Sequence, residues 1–239
     1  GNYFGGYMFS TDNGVTWISK SEGLPLWNGL SSFNKSGNHL MVSIGNEGIY
    51  YSSNNGDSWE KRNNGLTSLM INEIVSIDNE FYLSTWDKGI SKTTDFGLNW
   101  TQINEGCTGG SPLITDGDYV YTSTWGNGIY RRKNDDTSWE LFYLNYEKVY
   151  PYLRSLFIKD SKIYLSIEFS KNNSFKFSED NGNTWTTPSS SAYDNDTRRN
   201  VHCMLELNNK IYTGTQEGLL ISSDFGKTWQ LNTSLPIHS

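Results

Sequence analysis

Cysteine is scarce in this chain. Cys107 and Cys203 are the only two among 239 residues. They lie far apart and match no CxxC spacing, so two free thiols fit better than one long-range disulfide, and so few cysteines do not mark a compartment. Histidine is as sparse: His39, His202 and His238 are scattered without HExxH-type spacing, and no metal site or cofactor is expected. Long apolar runs are missing, which excludes a transmembrane helix and any expectation of membrane insertion. The first residues, GNYFGGYMFS, have neither a basic n-region nor an apolar h-region, so no signal peptide is visible. Basic charge is also in deficit. With 19 Lys and Arg against 26 Asp and Glu, the net charge is −7, which disfavours nonspecific binding to nucleic acid or anionic membranes. The one basic cluster, Arg131–Arg132–Lys133, is followed directly by two acids and reads as a solvated turn.

What the chain has in quantity is aromatic residues, at 15%, and glycine, at 23. Short aromatic and β-branched segments punctuated by Gly and Asn argue for an all-β protein. The decisive signal is an internal repeat. Aligned on tryptophan, the chain reads STDNGVTW (10–17), SSNNGDSW (52–59), TTDFGLNW (93–100), RKNDDTSW (132–139), SEDNGNTW (178–185) and SSDFGKTW (222–229). The closing residues Trp17, Trp59, Trp100, Trp139, Trp185 and Trp229 are 42, 41, 39, 46 and 44 residues apart. A period of about 40–45 built from short strands is the signature of a propeller with one four-stranded blade per repeat. The third unit displays the strands A to D most clearly: NEIVSI (72–77), NEFYLSTW (79–86), GISKTT (89–94) and NWTQI (99–103). Asn, Asp and Gly fill the A–B turns, as in Asp78–Asn79, TDGD (115–118) and LNNK (207–210).

The octets resemble the Asp-box, S-x-D-x-G-x-[T/S]-W, of the BNR repeat propellers. That superfamily includes sialidases, xyloglucanase-type hydrolases, sortilin and photosystem II assembly-factor-like proteins. Three octets match fully (10–17, 178–185 and 222–229). The third has Thr93 and Asn99 where the motif has Ser and Thr/Ser. The second has Asn54 at the Asp position, and the fourth keeps only Ser138 and Trp139. The resemblance runs along the whole chain and implies one propeller domain over 1–239. Its blades would cover approximately 1–20 (partial), 30–62, 72–103, 112–144, 153–187 and 200–232. That makes five full blades and an outer half blade, a piece of a parent propeller of six or more blades to which further domains could be attached.

The octet reads as a fastener between strands C and D. Asp12, Asp95, Asp180 and Asp224 are placed to accept backbone N–H bonds inside the turn. Gly14, Gly56, Gly97, Gly182 and Gly226 supply a positive φ, and each tryptophan packs its indole on a neighbouring strand or blade. Asn54 and Asn134 are expected to accept the same bonds, and Asp136 to tolerate the left-handed conformation. A calcium loop needs more oxygen ligands than the octets offer.

If the C–D turns occupy one rim, the B–C turns and D–A connections occupy the other, which is the working face in the sialidases and their relatives. The three tryptophans outside the octets, Trp27, Trp86 and Trp125, fall there. Trp86 and Trp125 hold equivalent places in STWDKGI and STWGNGI. With Glu47, Asp87, Lys88, Asn127 and Glu217 they suit a sugar ring or a protein partner. The alternative is that both indoles wedge between blades and meet no ligand. The long connections 144–154 and 186–200 bring Tyr146, Tyr150, Tyr152, Tyr193, Arg154, Arg198 and Arg199 toward the same rim. No F-R-I-P-like stretch precedes the first octet, and these three arginines come from one sector, unlike the sialidase set. Glu47, Asp87, Glu168 and Glu217 stand on suitable turns for a paired-carboxylate hydrolase, but nothing in the sequence pairs them. The expectation is a non-catalytic propeller binding a glycan or a protein, with a glycoside hydrolase and an assembly-factor-like scaffold as alternatives, in an extracellular or cell-surface setting.

Overall fold

A computed structural model of the chain describes residues 8–25, 29–107, 110, 112–124, 128–143, 152–168, 175–186, 201–215 and 218–232. These residues form strands and turns only. The chain divides into two compact units, Gly1–Thr122 with Arg131–Glu140, and Ser123–Tyr130 with Leu141–Ser239.

The first unit opens on a two-stranded ribbon, β1 (Met8–Phe9) and β2 (Ile18–Ser19). A four-stranded antiparallel meander follows, with β3 (Leu30–Ser36), β4 (His39–Ile44), β5 (Gly48–Ser52) and β6 (Glu60–Lys61) in sequential order. The next has the same plan: β7 (Ile71–Ile77), β8 (Glu80–Thr85), β9 (Gly89–Thr93) and β10 (Thr101–Gln102). The sheet after it, shared between the two units, consists of β11 (Leu113–Thr115), β12 (Tyr119–Thr124), β13 (Gly128–Lys133) and β14 (Glu140–Tyr143). In the second unit β15 (Tyr152–Lys159), β16 (Lys162–Glu168) and β17 (Phe175–Ser178) form a sheet, and a bridge from Phe177 to Thr186 marks the fourth-strand position. The last sheet is β18 (Val201–Leu207), β19 (Lys210–Thr215), β20 (Gly218–Ser222) and β21 (Gln230–Asn232).

Alternation along the strands decides which sheets pack. Phe81 and Leu83 turn to one face of β8 and join Met41, Ile49, Tyr51, Ile71, Ile74 and Trp100 in a buried core between the β3–β6 and β7–β10 sheets. Polar groups stitch the first strands of those sheets together: Ile74 N–H donates to Ser32 Oγ at 3.0 Å, and Ser76 Oγ donates to Asn34 Oδ1 at 2.6 Å. In the second unit Tyr164, Phe177, Ile211, Leu220 and Trp229 form the corresponding core. The hairpins use the expected turn chemistry, with Asp78 at φ 51° and Asn208 and Asn209 at 52° and 60°.

Every octet tryptophan stands one residue before the last strand of its sheet or the bridge in that position. Within TTDFGLNW, Asp95 Oδ1 accepts the Asn99 N–H at 2.9 Å and the Thr93 hydroxyl at 2.7 Å, while Oδ2 accepts Asn99 Nδ2 at 2.9 Å. The Thr93 hydroxyl oxygen in turn accepts the Gly97 N–H at 2.9 Å. The carboxylate is thus saturated by its own turn. The Thr16 hydroxyl and N–H, with the Ser10 hydroxyl, hold Asp12 at a pKa of about 2; Thr184 and Ser178 do the same for Asp180. Asn54 substitutes well, taking the Ser58 N–H on Oδ1 and donating Nδ2 to Ser58 Oγ. The fourth octet corrects the expectation. Asp136 does not take a positive φ. Its carboxylate accepts the Lys133 N–H, and its carbonyl accepts a bond from Arg132. Asn134 is not a turn acceptor either, because its Oδ1 is taken by Tyr82 Oη and Lys92 Nζ. Without a Ser or Thr at the first position and a Gly at the fifth, the local network has no reason to form.

Among the described residues, three tryptophans also latch one sheet to the one before it. The Trp100 indole donates to the Arg62 carbonyl at 2.9 Å, and its backbone N–H donates to the Asn64 carbonyl at 2.9 Å. Trp59 repeats this with Lys20 and Glu22, and Trp139 with Ile103 and Glu105. Each receiving turn carries a glycine against the tryptophan backbone: a Cβ on Gly65 would lie 2.2 Å from the Trp100 carbonyl oxygen. β6 and β10 have two residues each, fewer than the sequence pattern implies. The indole N–H groups of Trp17, Trp185 and Trp229 donate to the Gly14, Gly182 and Gly226 carbonyls of their own octets.

Candidate functional site

In the β3–β6 and β7–β10 sheets, the second and third strands are joined by a short turn at the end away from the octet. The turn between β8 and β9 carries Trp86, Asp87 and Lys88, all exposed, with Trp86 at 60%. Its backbone is fixed from several directions. Trp86 N–H donates to the Met70 carbonyl at 3.2 Å, and Lys88 N–H donates to Thr85 Oγ1, which itself donates to the Gly89 carbonyl at 3.1 Å. Asn104, from the segment just after β10, closes the turn. Its Nδ2 donates to the Lys88 carbonyl at 2.8 Å, and its Oδ1 accepts the Ile90 N–H at 2.8 Å. Gly89, at φ 84°, leaves the space Asn104 fills, since a Cβ there would lie 2.4 Å from Asn104 Oδ1.

The β4–β5 turn has the same pin. Asn63 donates to the Glu47 carbonyl and accepts the Ile49 N–H, both at 2.8 Å, and Gly48 makes room for it. Glu47 is paired with Lys61 at 2.7 Å, and its hydrogen bond to that ammonium holds the Lys61 pKa above the ordinary value. Both asparagines stand four residues after an octet tryptophan, in WEKRN and WTQIN. That spacing is visible in the sequence, but an Asn in a turn has many ordinary explanations.

Trp86, Asp87, Lys88 and Glu47 therefore sit on pinned turns at corresponding ends of consecutive sheets. Trp27, Trp125, Asn127, Tyr150 and Glu217 lie outside the described residues, as do Tyr146, Tyr193, Arg198 and Arg199. Tyr152 and Arg154 are placed on β15 by their backbone. The suggested neighbourhood of Trp86 and Trp125 stays an expectation. Two residues beside the turn were not foreseen. Met70, whose carbonyl holds Trp86, is itself 49% exposed. Glu73 occupies the step after a bulge in β7, between Ile71 and Glu73, and lies opposite Ser84 of β8. Burial pushes its carboxyl up to about 7. The sequence signal was the acid inside NEIVSI; the bulge that fixes its direction was not legible. Bulges recur at Leu30/Ser32, Leu153/Ser155 and Val201/Cys203. Cys107 is a buried free thiol and Cys203 an exposed one.

Comparison with known proteins gives the class. The BNR/Asp-box repeat model matches residues 220–231. No curated protein sequence matches the chain. Among solved structures, YCF48 bound to D1 peptide superposes with a TM-score of 0.72 at 20% identity, covering 96% of this chain and 76% of that one. The GH74 xyloglucanase from Xanthomonas campestris gives 0.69 at 13% identity over 92% of this chain and 41% of the enzyme. The extracellular domain of the one-component system BT4673 from B. thetaiotaomicron gives 0.67 at 14% identity over 86% and 28%. The chain thus spans less than half the length of these last two. Strand order, the recurring octets and these likenesses show an all-β fold of the β-propeller kind, with one octet region matched by the BNR/Asp-box repeat model.

Proposed function

We propose that this chain is a binding propeller whose ligand is a segment of a partner protein, met at the rim that carries Trp86. The observation that carries this reading is the presentation of Trp86: a largely exposed indole on a turn whose backbone is already held by Met70, Thr85 and Asn104. A preformed turn loses little conformational entropy on binding, and tryptophan is over-represented among residues that dominate binding energies. Exposed Met70 beside it adds a polarisable apolar contact, and Asp87 and Lys88 offer one charge of each sign. An apolar peptide side chain flanked by polar backbone fits that combination. YCF48, the similar structure with a bound peptide, supports it by analogy of fold.

The second reading is a glycan ligand. It is favoured by the same open indole, which would cover the C–H face of a pyranose while Asp87 and Lys88 take hydroxyls. Hydrolysis is less well supported; Glu47, one of its candidate carboxylates, is paired with Lys61. An extracellular or cell-surface setting belongs to this proposal, in keeping with the extracellular domain among the similar structures.

Panels of displayed peptides and of xyloglucan, β-glucans and sialosides separate the readings. Peptide capture that falls about 30-fold or more in Trp86→Ala supports the proposal. Retention of sugars alone supports the glycan reading, and released reducing ends would make the chain an enzyme.

A further inference from the structure

Where the β7–β10 sheet meets the part of the β11–β14 sheet that belongs to the first unit (113–122 and 131–140), the facing groups include buried polar side chains. Cross-strand partners point to one side of a sheet, so Glu73, its partner Ser84 and the Ser84 partner Ile90 form a row on one face. Gly110 lies against that row: a Cβ there would come within 2.6 Å of Ile90 Cδ1 and 3.0 Å of Thr122 Oγ1. Ser84 Oγ and Thr122 Oγ1 are buried without a hydrogen-bond partner among the described residues. One step further down the seam, Tyr82 Oη donates to Asn134 and Glu80, and Lys92 binds Glu80 and Asn134. Arg132, also buried, leaves Nε and Nη1 unpartnered there. Buried polar groups without partners are costly and are normally satisfied by water or by a neighbouring group.

Building on the binding rim proposed above, we propose that this seam is a proton-controlled gate: with Glu73 protonated it closes beneath Trp86, and when Glu73 ionises, water enters and releases the β8–β9 turn. Ser84 lies one residue before Thr85, whose hydroxyl braces that turn, so a swollen seam acts directly on the end of β8. The shift of Glu73 comes from burial, and the titratable groups along the same seam are few. From β8 they are Glu80 and Tyr82, from β9 Lys92 and from β13 Arg132; β11 has no titratable residue. On the other face β3 and β4 bring Lys35 and His39, and His39 is occupied by Tyr51 and Phe96. Burial holds Glu73 near 7, whereas an opened seam returns it to an ordinary glutamate value of about 4.3.

The open population therefore grows about tenfold per pH unit between those two values and levels off above the upper one. Hydrogen exchange on the intact chain without ligand tests this. At the amides of Trp86, Lys88 and Val75, exchange should rise about 100-fold per unit between roughly pH 5 and 6.5, the product of this tenfold and the intrinsic base-catalysed tenfold. Above pH 7 it should return to about tenfold. Glu73→Gln should show tenfold steps throughout. A single tenfold slope in the wild-type chain, or a steep segment that survives Glu73→Gln, overturns the gate. If that variant does not fold, the wild-type profile decides alone. Since no ligand is used, the outcome is separate from that of the binding proposal.

Discussion

The octet aspartates and Glu73 are carboxylates with opposite pH signatures, and the cause is the number of donors each one meets. Asp12 and Asp180 take hydroxyl and N–H donors on both oxygens and are held at about 2. At Asp95 and Asp224 burial opposes ionisation, but the turn donors outweigh it and the values are still lowered. A carboxylate whose folded pKa lies below its unfolded one, about 3.9, stabilises the fold fully above that value. The contribution is lost as pH falls through the folded value. Denaturant melts should thus show stability dropping between about pH 4 and 2, with a smaller drop in Asp180→Asn, which keeps the Oδ1 acceptor as Asn54 does. Glu73 has its folded pKa above the unfolded one, so its effect runs the other way: stability falls as pH rises from about 4.3 to 7 and is flat beyond.

At the scale of turns and strands, the asparagine pins separate holding a site from touching a ligand. Asn104→Ala removes two hydrogen bonds from the Trp86 turn and leaves the Ile90 N–H without its acceptor. A loss of about 1–3 kcal/mol in stability is expected, with ligand affinity reduced although Asn104 meets no ligand. Calorimetry and a binding titration on the same variant check both. Here the limits of the sequence are instructive. The octets were legible because their eight positions recur in register, and the A–B turns because Asn and Asp tolerate positive φ. The pins were not, since WEKRN and WTQIN differ in function from other Asn-containing turns only through the glycine each one faces. The fourth octet departs for the related reason that Asn134 has the right chemistry but lacks the first-position hydroxyl and the fifth-position glycine around it, and it bonds across to Tyr82 and Lys92. The side-chain direction of Glu73 depends on a one-residue bulge that composition does not reveal.

For the whole molecule, the first unit is a series of sheets joined by repeated tryptophan latches. Their strength depends on glycines in the receiving turns, as a contrast between two positions shows. Gly65 and Gly37 both have positive φ, at 86° and 58°, but Gly65 touches the Trp100 carbonyl while nothing lies near Gly37. Alanine at either site carries backbone strain of about 1 kcal/mol. Only Gly65→Ala should also break the latch, so its melting temperature should fall several degrees further than that of Gly37→Ala, which differential scanning calorimetry would resolve. The proposed division of labour follows: octets and latches hold the sheets of the first unit together, and the β8–β9 turn at the other end meets the partner.

That division is tested most directly by measuring two variants side by side, Trp86→Ala and Asp95→Ala, for melting temperature and for affinity to a peptide captured by the wild-type chain. Trp86→Ala should keep the wild-type melting temperature and lose about 30-fold or more in affinity. Asp95→Ala should melt several degrees lower and bind as the wild type does below its transition. Unchanged binding in Trp86→Ala together with weakened binding in folded Asp95→Ala would place the working rim at the octets and contradict the assignment.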